Sequence, residues 1–271
     1  MAFLLTALGI ALLVLGANWL IGGASSLALK LGISKLIVGL SVVAFGTSLP
    51  ELVSSLVSTL KGYTSIAISN VVGSNIANIG LCLGLAALFR AIPVKKSTIK
   101  SEIPFMILST ISFISLFSKN HYLSWHDGVV FLSFMVIFMY YLITSAKDVV
   151  EEELEEIKEQ KSVRLSLLMI VAGTLFLWLG GNLAIENVVK IAQKFGLSQA
   201  FVGLTIVAVG TSLPELVVSV VSTVKKESDI LVGNIVGSNV FNILLILGVS
   251  SFFNRLTVDV TDYTMDLMFL F

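Results

Sequence analysis

The sequence has little charge: only 13% of its 271 residues are Asp, Glu, Lys or Arg, whereas 56% are hydrophobic. A soluble domain carries roughly 25% charged residues, so the composition excludes a water-soluble globule. Seventeen basic residues balance seventeen acidic ones, which leaves no basic surface for nucleic acid. One cysteine and two histidines offer no pattern for a disulfide framework, zinc or iron–sulfur. The composition indicates an integral membrane protein without a cofactor.

Long, continuous apolar stretches run through the chain. A helix needs about 20 such residues to cross the hydrocarbon core. We predict eight spans, near 3–22, 36–60, 65–89, 102–118, 128–146, 165–185, 199–223 and 230–253. A ninth stretch begins near 263 and stops after a few residues, at Phe271. The expected fold class is therefore an all-α integral membrane bundle.

Positive charge is unevenly divided between the connections. Twelve of the seventeen Lys and Arg residues fall in alternate connections on one side, and five fall on the other. Because positive loops stay in the cytoplasm, the richer side is expected to be cytoplasmic. This orientation predicts a multi-pass protein of the cell membrane, with the N-terminus outside and the segment joining residues 146 and 164 inside.

The chain contains an internal repeat. Residues 31–84 align without a gap with residues 195–248, and 31 of the 54 aligned positions are identical. The repeat unit of about 164 residues holds five spans, so the second copy must enter the membrane the opposite way up. Inverted repeats are typical of secondary transporters, which bind their substrates at the repeat interface. The predicted organisation is a first repeat over 1–146, a charged linker over 147–163 and an inverted second repeat over 164–271.

Glu51 and Glu215 are acidic residues predicted in mid-span, at equivalent positions of the two repeats. A charge at the bilayer centre costs roughly 2.5–3.5 kcal/mol even on lenient scales. A protonated structural glutamate is one interpretation, and a cation site is the other. The residues on the same helical face are small and mostly hydroxylated, namely Ala44, Thr47, Ser48, Ser55 and Ser58 around Glu51, and Ala208, Thr211, Ser212, Ser219 and Ser222 around Glu215.

A proline directly precedes each glutamate, at Pro50 and Pro214. Proline lacks an N–H, so each is expected to bend its helix and free a backbone carbonyl. The next span of each repeat carries a polar stripe, formed by Asn70, Ser74 and Asn78 and by Asn234, Ser238 and Asn242. Such residues can hold helices together in lipid. Together with two carboxylates they also form the all-oxygen set that Ca²⁺ and Na⁺ prefer.

These motifs resemble the two α-repeats of the sodium/calcium exchanger family, within the cation/calcium antiporter superfamily. The resemblance rests on GTSLPE at 46–51 and 210–215 and on GSN at 73–75 and 237–239. It implies a prokaryotic type without a large regulatory loop. It also implies an inverted five-plus-five helix repeat, with the last one to two helices missing or incomplete in this chain. The implied ion ligands are Glu51, Glu215, Thr47, Thr211, Asn78, Asn242, Ser48, Ser212, Ser74, Ser238, Ala44 and Ala208.

The resemblance further implies a function. The chain would be a secondary antiporter, not an enzyme, that exchanges Na⁺ for Ca²⁺ by alternating access as spans one and six move against the other helices. Its partners would be the two ions and the lipid bilayer, with no protein partner implied. Some potassium-dependent relatives carry Asp where this chain has Asn242, which argues against potassium dependence. Proton/Ca²⁺ exchange stays open as an alternative, and a cation channel or a membrane enzyme is disfavoured.

Overall fold

A computed structural model describes residues 1–145, 162–195 and 208–257 of the chain, and these residues are mostly helical. A short antiparallel pair joins β1 (Tyr122–Leu123) to β2 (Leu256–Thr257). The helices are α1 (Ala2–Leu31), α2 (Lys35–Thr47), α3 (Leu49–Leu60), α4 (Thr64–Phe89), α5 (Lys96–Lys100), α6 (Glu102–Asn120), α7 (Trp125–Ser145), α8 (Val163–Lys194), α9 (Ala208–Thr211), α10 (Leu213–Val224) and α11 (Ser228–Phe253).

Among the described residues, six helical segments are long and apolar enough to cross a membrane, and the bent pair α2–α3 forms a seventh if it counts as one span. The prediction of a helical membrane protein is confirmed. The start of the predicted seventh span, the ninth stretch and most of the linker lie outside the described residues. The five-plus-five count and the division into two repeats and a linker therefore stay predictions.

The first and sixth spans are longer than the sequence predicted. Helix α1 has 30 residues and α8 has 32. Helix α1 continues past the apolar run and ends at Gly32, which has a φ of 64° and donates its N–H to the Ala28 and Leu29 carbonyls. Glycine adopts this left-handed conformation without a steric penalty, so the helix ends at this residue.

Helices α1 and α8 pack against each other in antiparallel orientation through glycines. A Cβ on Gly16 would lie 2.7 Å from the Gly173 carbonyl oxygen, and one on Gly9 would lie 2.8 Å from the Gly180 oxygen. Gly9 and Gly173 are repeat equivalents, as are Gly16 and Gly180, so one contact is the two-fold image of the other. Equivalent helices that run in opposite directions are what an inverted repeat requires.

Helix α11 is the most buried long helix of the described residues, because 94% of its most apolar 18-residue stretch is buried inside the protein. Its glycines allow α2 to approach closely, because a Cβ on Gly233 or Gly237 would lie 2.6 Å from a carbonyl oxygen of α2. Helices α4 and α11 each contain a π-helical turn, over Asn78–Leu83 and Asn242–Leu247. Such turns are frequent at functional sites, and these two begin at equivalent asparagines.

Candidate cation-binding site

Both predicted helix breaks are present. Helices α2 and α3 meet at Ser48 with a bend of 45°, and α9 and α10 meet at Ser212. The two serines have ψ values of 2° and 10°, which interrupt the helical backbone. The prolines that follow cannot donate a backbone hydrogen bond, so the bends occur where the sequence predicted them. Each glutamate consequently lies in the first turn of a new helix, where the helix dipole favours a negative charge.

The two glutamates are almost completely buried, with exposed fractions of 0% for Glu51 and 1% for Glu215. The Ser48 hydroxyl donates to Glu215 Oε1 at 3.3 Å. Both carboxylate oxygens of Glu51 and Oε2 of Glu215 have no hydrogen-bond partner among the described residues. A buried carboxylate without a partner is costly, so this pair needs either a cation or protons.

Side chains of the two repeats meet around these carboxylates. The Thr47 hydroxyl lies 3.0 Å from Asn234 Oδ1 and 3.3 Å from the Ser238 hydroxyl. On the other side of the site, the Ser212 hydroxyl lies 3.4 Å from that of Ser74. The helix break of each repeat therefore contacts the polar stripe of the other, and the oxygen atoms collect between the repeats.

The structure connects most of the twelve predicted ligands. Hydrogen bonds join Ala44 to Thr47 and Ser48, and contacts across the repeats join four further members, Glu215, Ser238, Ser212 and Ser74, to these or to each other. Glu51, Asn78 and Asn242 are fully buried but form no hydrogen bond to another predicted ligand within the described residues. Thr211 ends α9. The side chain of Ala208, at the start of α9, lies outside what the structure describes.

Four asparagines outside the twelve predicted ligands also contact the site, and two of them, Asn70 and Asn234, belong to the predicted polar stripes. Asn234 meets Thr47, and Asn70 donates to the Glu51 carbonyl oxygen at 3.3 Å and to the Ser55 hydroxyl at 3.0 Å. The other two, at 75 and 239, lie against each other between the repeats. Asn75 and Asn239 were missed although a signal was available, because the asparagine of the GSN motif recurs at the equivalent position of the second repeat.

A cleft of about 320 Å³ reaches the two helix breaks from one side. It lies between α3 and α8, and its lining includes Pro50, Ser54, Trp178, Asn182 and Pro214. We call it the α3–α8 cleft. It extends along α3 from Pro50 to Val57, toward the end of the helix that leads to Lys61.

The equivalent place on the opposite side is packed. There α10 contacts α1, with Val217, Val218 and Val221 in the same hydrophobic cluster as Leu13 and Ala17. The Lys225 ammonium group also donates to the Asn18 carbonyl oxygen at 3.4 Å. The site is thus approached by a cleft beside α8 and covered beside α1, although α1 and α8 are equivalent helices.

The family described as "Sodium/calcium exchanger protein" matches residues 1–144 and 165–271, nearly the whole chain. The chain belongs to the sodium/calcium exchanger family. Membership makes the protein a transmembrane antiporter of an ion-transport family and confirms the resemblance of its two motifs.

Named relatives of this exchanger cover most of the chain. The "Putative antiporter CaxA" of Alkalimonas amylolytica is 38% identical over 249 residues, covering 90% of this chain and 78% of the relative. The "Sodium/calcium exchanger MaX1" of Methanosarcina acetivorans is 33% identical, covering 94% of this chain and 84% of the relative. A solved structure of the sodium-calcium exchanger NCX_Mj, soaked with 10 mM Na⁺ and no Ca²⁺, matches with a TM-score of 0.85 and 31% identity, covering 100% of this chain and 89% of that one. The last match agrees with the inverted-repeat exchanger fold.

Proposed function

We propose that this chain exchanges Na⁺ for Ca²⁺ across the membrane at the site between its two repeats. The observation that carries the proposal is the pair of buried carboxylates, one from each repeat, whose oxygens are mostly without hydrogen-bond partners among the described residues. Two carboxylates neutralise one Ca²⁺, and they bind Na⁺ in its place. Competition of the two ions for the same carboxylates couples their movements.

The proposed ligands divide into a central group and flanking groups. Ca²⁺ takes six to eight oxygen ligands. We assign the central position to the two glutamate carboxylates together with the backbone carbonyls of Thr47 and Thr211. The flanking Na⁺ positions are assigned to the remaining eight predicted ligands, the hydroxyls of Ser48, Ser74, Ser212 and Ser238, the amides of Asn78 and Asn242 and the carbonyls of Ala44 and Ala208.

Alternating access is supported by the difference between the two sides of the site. The glycine contacts hold α1 and α8 together at backbone distance, so the two helices are expected to move as one unit. Movement of this unit along the remaining helices would close the α3–α8 cleft and open the equivalent path between α1 and α10. With the N-terminus outside and the linker in the cytoplasm, the α3–α8 cleft faces the outside.

The test is a flux measurement with the purified protein in lipid vesicles. We expect ⁴⁵Ca²⁺ uptake to follow an imposed Na⁺ gradient at equal pH on both sides, and to cease when the Na⁺ gradient is removed. Empty vesicles and vesicles with Glu215→Gln protein serve as controls. Uptake that follows a pH gradient and ignores Na⁺ would establish proton/Ca²⁺ exchange instead. Uptake that needs no counter-ion would establish a channel.

A further inference from the structure

Asn75 and Asn239 are equivalent residues of the two repeats, and the structure brings them into direct contact. Their exposed fractions are 2% and 1%. Equivalent residues that touch must lie close to the pseudo-two-fold axis relating the repeats. Each precedes by three positions the asparagine that begins a π-helical turn, Asn78 in one repeat and Asn242 in the other.

Asn75 forms two hydrogen bonds to the opposite repeat. Its Nδ2 donates to the Asn239 carbonyl oxygen at 3.3 Å, and its Oδ1 accepts from Asn242 Nδ2 at 3.0 Å. The second bond fixes the orientation of the Asn242 amide. The other atom of that amide, Oδ1, stays buried without a partner in the described part of the chain. Asn75 therefore orients the side chain of Asn242 so that its amide oxygen, Oδ1, is available for a ligand.

Asn239 does not form the equivalent bonds. Its Nδ2 donates to the Ile235 carbonyl oxygen of its own helix at 2.9 Å. Its Oδ1 and the Nδ2 of Asn78 are the two atoms that would form the image of the Asn75–Asn242 bond. Within residues 1–145, 162–195 and 208–257, both atoms are buried and without a partner. A donor and its matching acceptor are thus left unpaired on one side of the axis only.

The motif is GSN in both repeats, so the difference between the two asparagines lies in conformation and not in chemistry. The two sides of the site differ in the same state of the molecule, with a cleft beside α8 and packing beside α1. A buried polar group without a partner costs free energy, which the missing bond would recover if it formed. The unpaired atoms and the one-sided cleft are both explained if the Asn75–Asn242 bond and its image, the Asn239–Asn78 bond, form in alternate states.

We infer that Asn75 and Asn239 are positioning residues that act as a two-way hydrogen-bond switch on the ion site. In the state with the α3–α8 cleft open, Asn75 holds Asn242. In the opposite state, Asn239 crosses the axis to hold Asn78, and Asn75 turns back to the Val71 carbonyl of its own helix. The switch rests on the proposed alternating access and adds to it the residues that bias the two states.

The experiment measures how open the α3–α8 cleft is. A Ser54→Cys variant places a thiol in the cleft, and its reaction rate with a maleimide is followed on purified protein without Na⁺ or Ca²⁺. The unaltered chain, whose Cys82 is fully buried, is the blank. A net hydrogen bond of about 1 kcal/mol shifts a two-state ratio about fivefold. Added to Ser54→Cys, Asn75→Ala should slow labelling up to about fivefold, whereas Asn239→Ala should leave the rate unchanged or raise it.

A second measurement asks whether Asn75 acts through Asn242. Asn242→Ala removes the same bond from its other end, so it should slow labelling as Asn75→Ala does. In the Asn242→Ala background, adding Asn75→Ala should slow labelling by less than it does alone, because the bond to Asn242 is already lost and only the bond to the Asn239 carbonyl oxygen remains to be broken. If Asn75→Ala does not fold, Asn242→Ala tests the same hydrogen bond from its other end.

The switch would be overturned if Asn75→Ala and Asn239→Ala slowed labelling equally, or if neither changed the labelling rate. It would also be overturned if the effects of Asn75→Ala and Asn242→Ala on the rate were fully additive. The proposed function fails separately. Unaltered protein that shows no Na⁺-driven Ca²⁺ flux refutes the exchange, whereas labelling reports the two states without any transport. A functioning exchanger with the wrong labelling pattern refutes only the switch.

Discussion

Replacement of Glu51 or Glu215 by glutamine should abolish Ca²⁺ transport and leave a folded protein. Glutamine has nearly the same shape as glutamate and removes one negative charge. Neither oxygen of Glu51 has a hydrogen-bond partner among the described residues, so the Glu51→Gln variant breaks no bond that the structure shows. The fold should therefore be retained, and the change should act on the bound cation.

The expected effect on Ca²⁺ is large. At a Ca²⁺–oxygen distance of about 2.4 Å and an effective dielectric constant of about 20, one carboxylate attracts the ion by about 14 kcal/mol before the cost of removing its water is subtracted. If only about a tenth of this attraction survives as net binding, its loss raises the Kd for Ca²⁺ about tenfold. In addition, the one remaining carboxylate cannot neutralise the two positive charges of Ca²⁺.

The assay is Na⁺-driven ⁴⁵Ca²⁺ uptake into vesicles, with the melting temperature in detergent as the measure of folding. Glu102→Gln is a matched control, since Glu102 is another glutamate of a long apolar helix, 5% exposed, and lies outside the site. Its Oε1 accepts from the Tyr141 hydroxyl at 2.6 Å, and a glutamine oxygen can accept the same bond. Transport should survive in this control. Normal uptake by Glu51→Gln or Glu215→Gln would refute the assignment of the carboxylates.

Three other changes test separate parts of the proposal. Ser48→Ala and Ser212→Ala should raise the Na⁺ concentration needed for half-maximal exchange more than the Ca²⁺ concentration, and an equal change in both would contradict separate Na⁺ positions. A cysteine that replaces Gly62 should react with an impermeant maleimide added outside cells, and a cysteine that replaces Glu227 should not. Labelling of both cysteines from the same side would contradict the inverted orientation. Gly16→Ala should lower the melting temperature and slow transport, since its Cβ would lie 2.7 Å from a backbone oxygen of α8. Overpacking of this kind typically costs about 1–3 kcal/mol. Gly84→Ala, where no atom of the described segments lies within 4 Å of the added carbon, is the tolerated control, and equal effects would argue against close packing at Gly16.

The features that the sequence predicted well are those fixed by local chemistry. Apolar length identified the long helices, and Pro50 and Pro214 located the two helix breaks because a missing N–H acts within one turn. Helix length was predicted less well, since α1 and α8 continue beyond the apolar runs until a turn ends them. Contacts between the repeats could not be read from local patterns. The bond from Thr47 to Asn234 joins residues 187 positions apart, and only the packing of α2 on α11 brings them together.

The asymmetry of the hydrogen bonds at the site could not follow from the sequence, because the two repeats share the asparagines that form them. Because GSN stands in both repeats, either repeat could supply the asparagine that crosses the axis. The structure assigns the crossing asparagine to the first repeat and the cleft to α8. If the repeats exchanged these conformations, the asparagine contacts would re-form with equivalent residues and the site would face the other side. Two states built from equivalent contacts have similar free energies, so a small difference in ion binding is enough to move the protein between them.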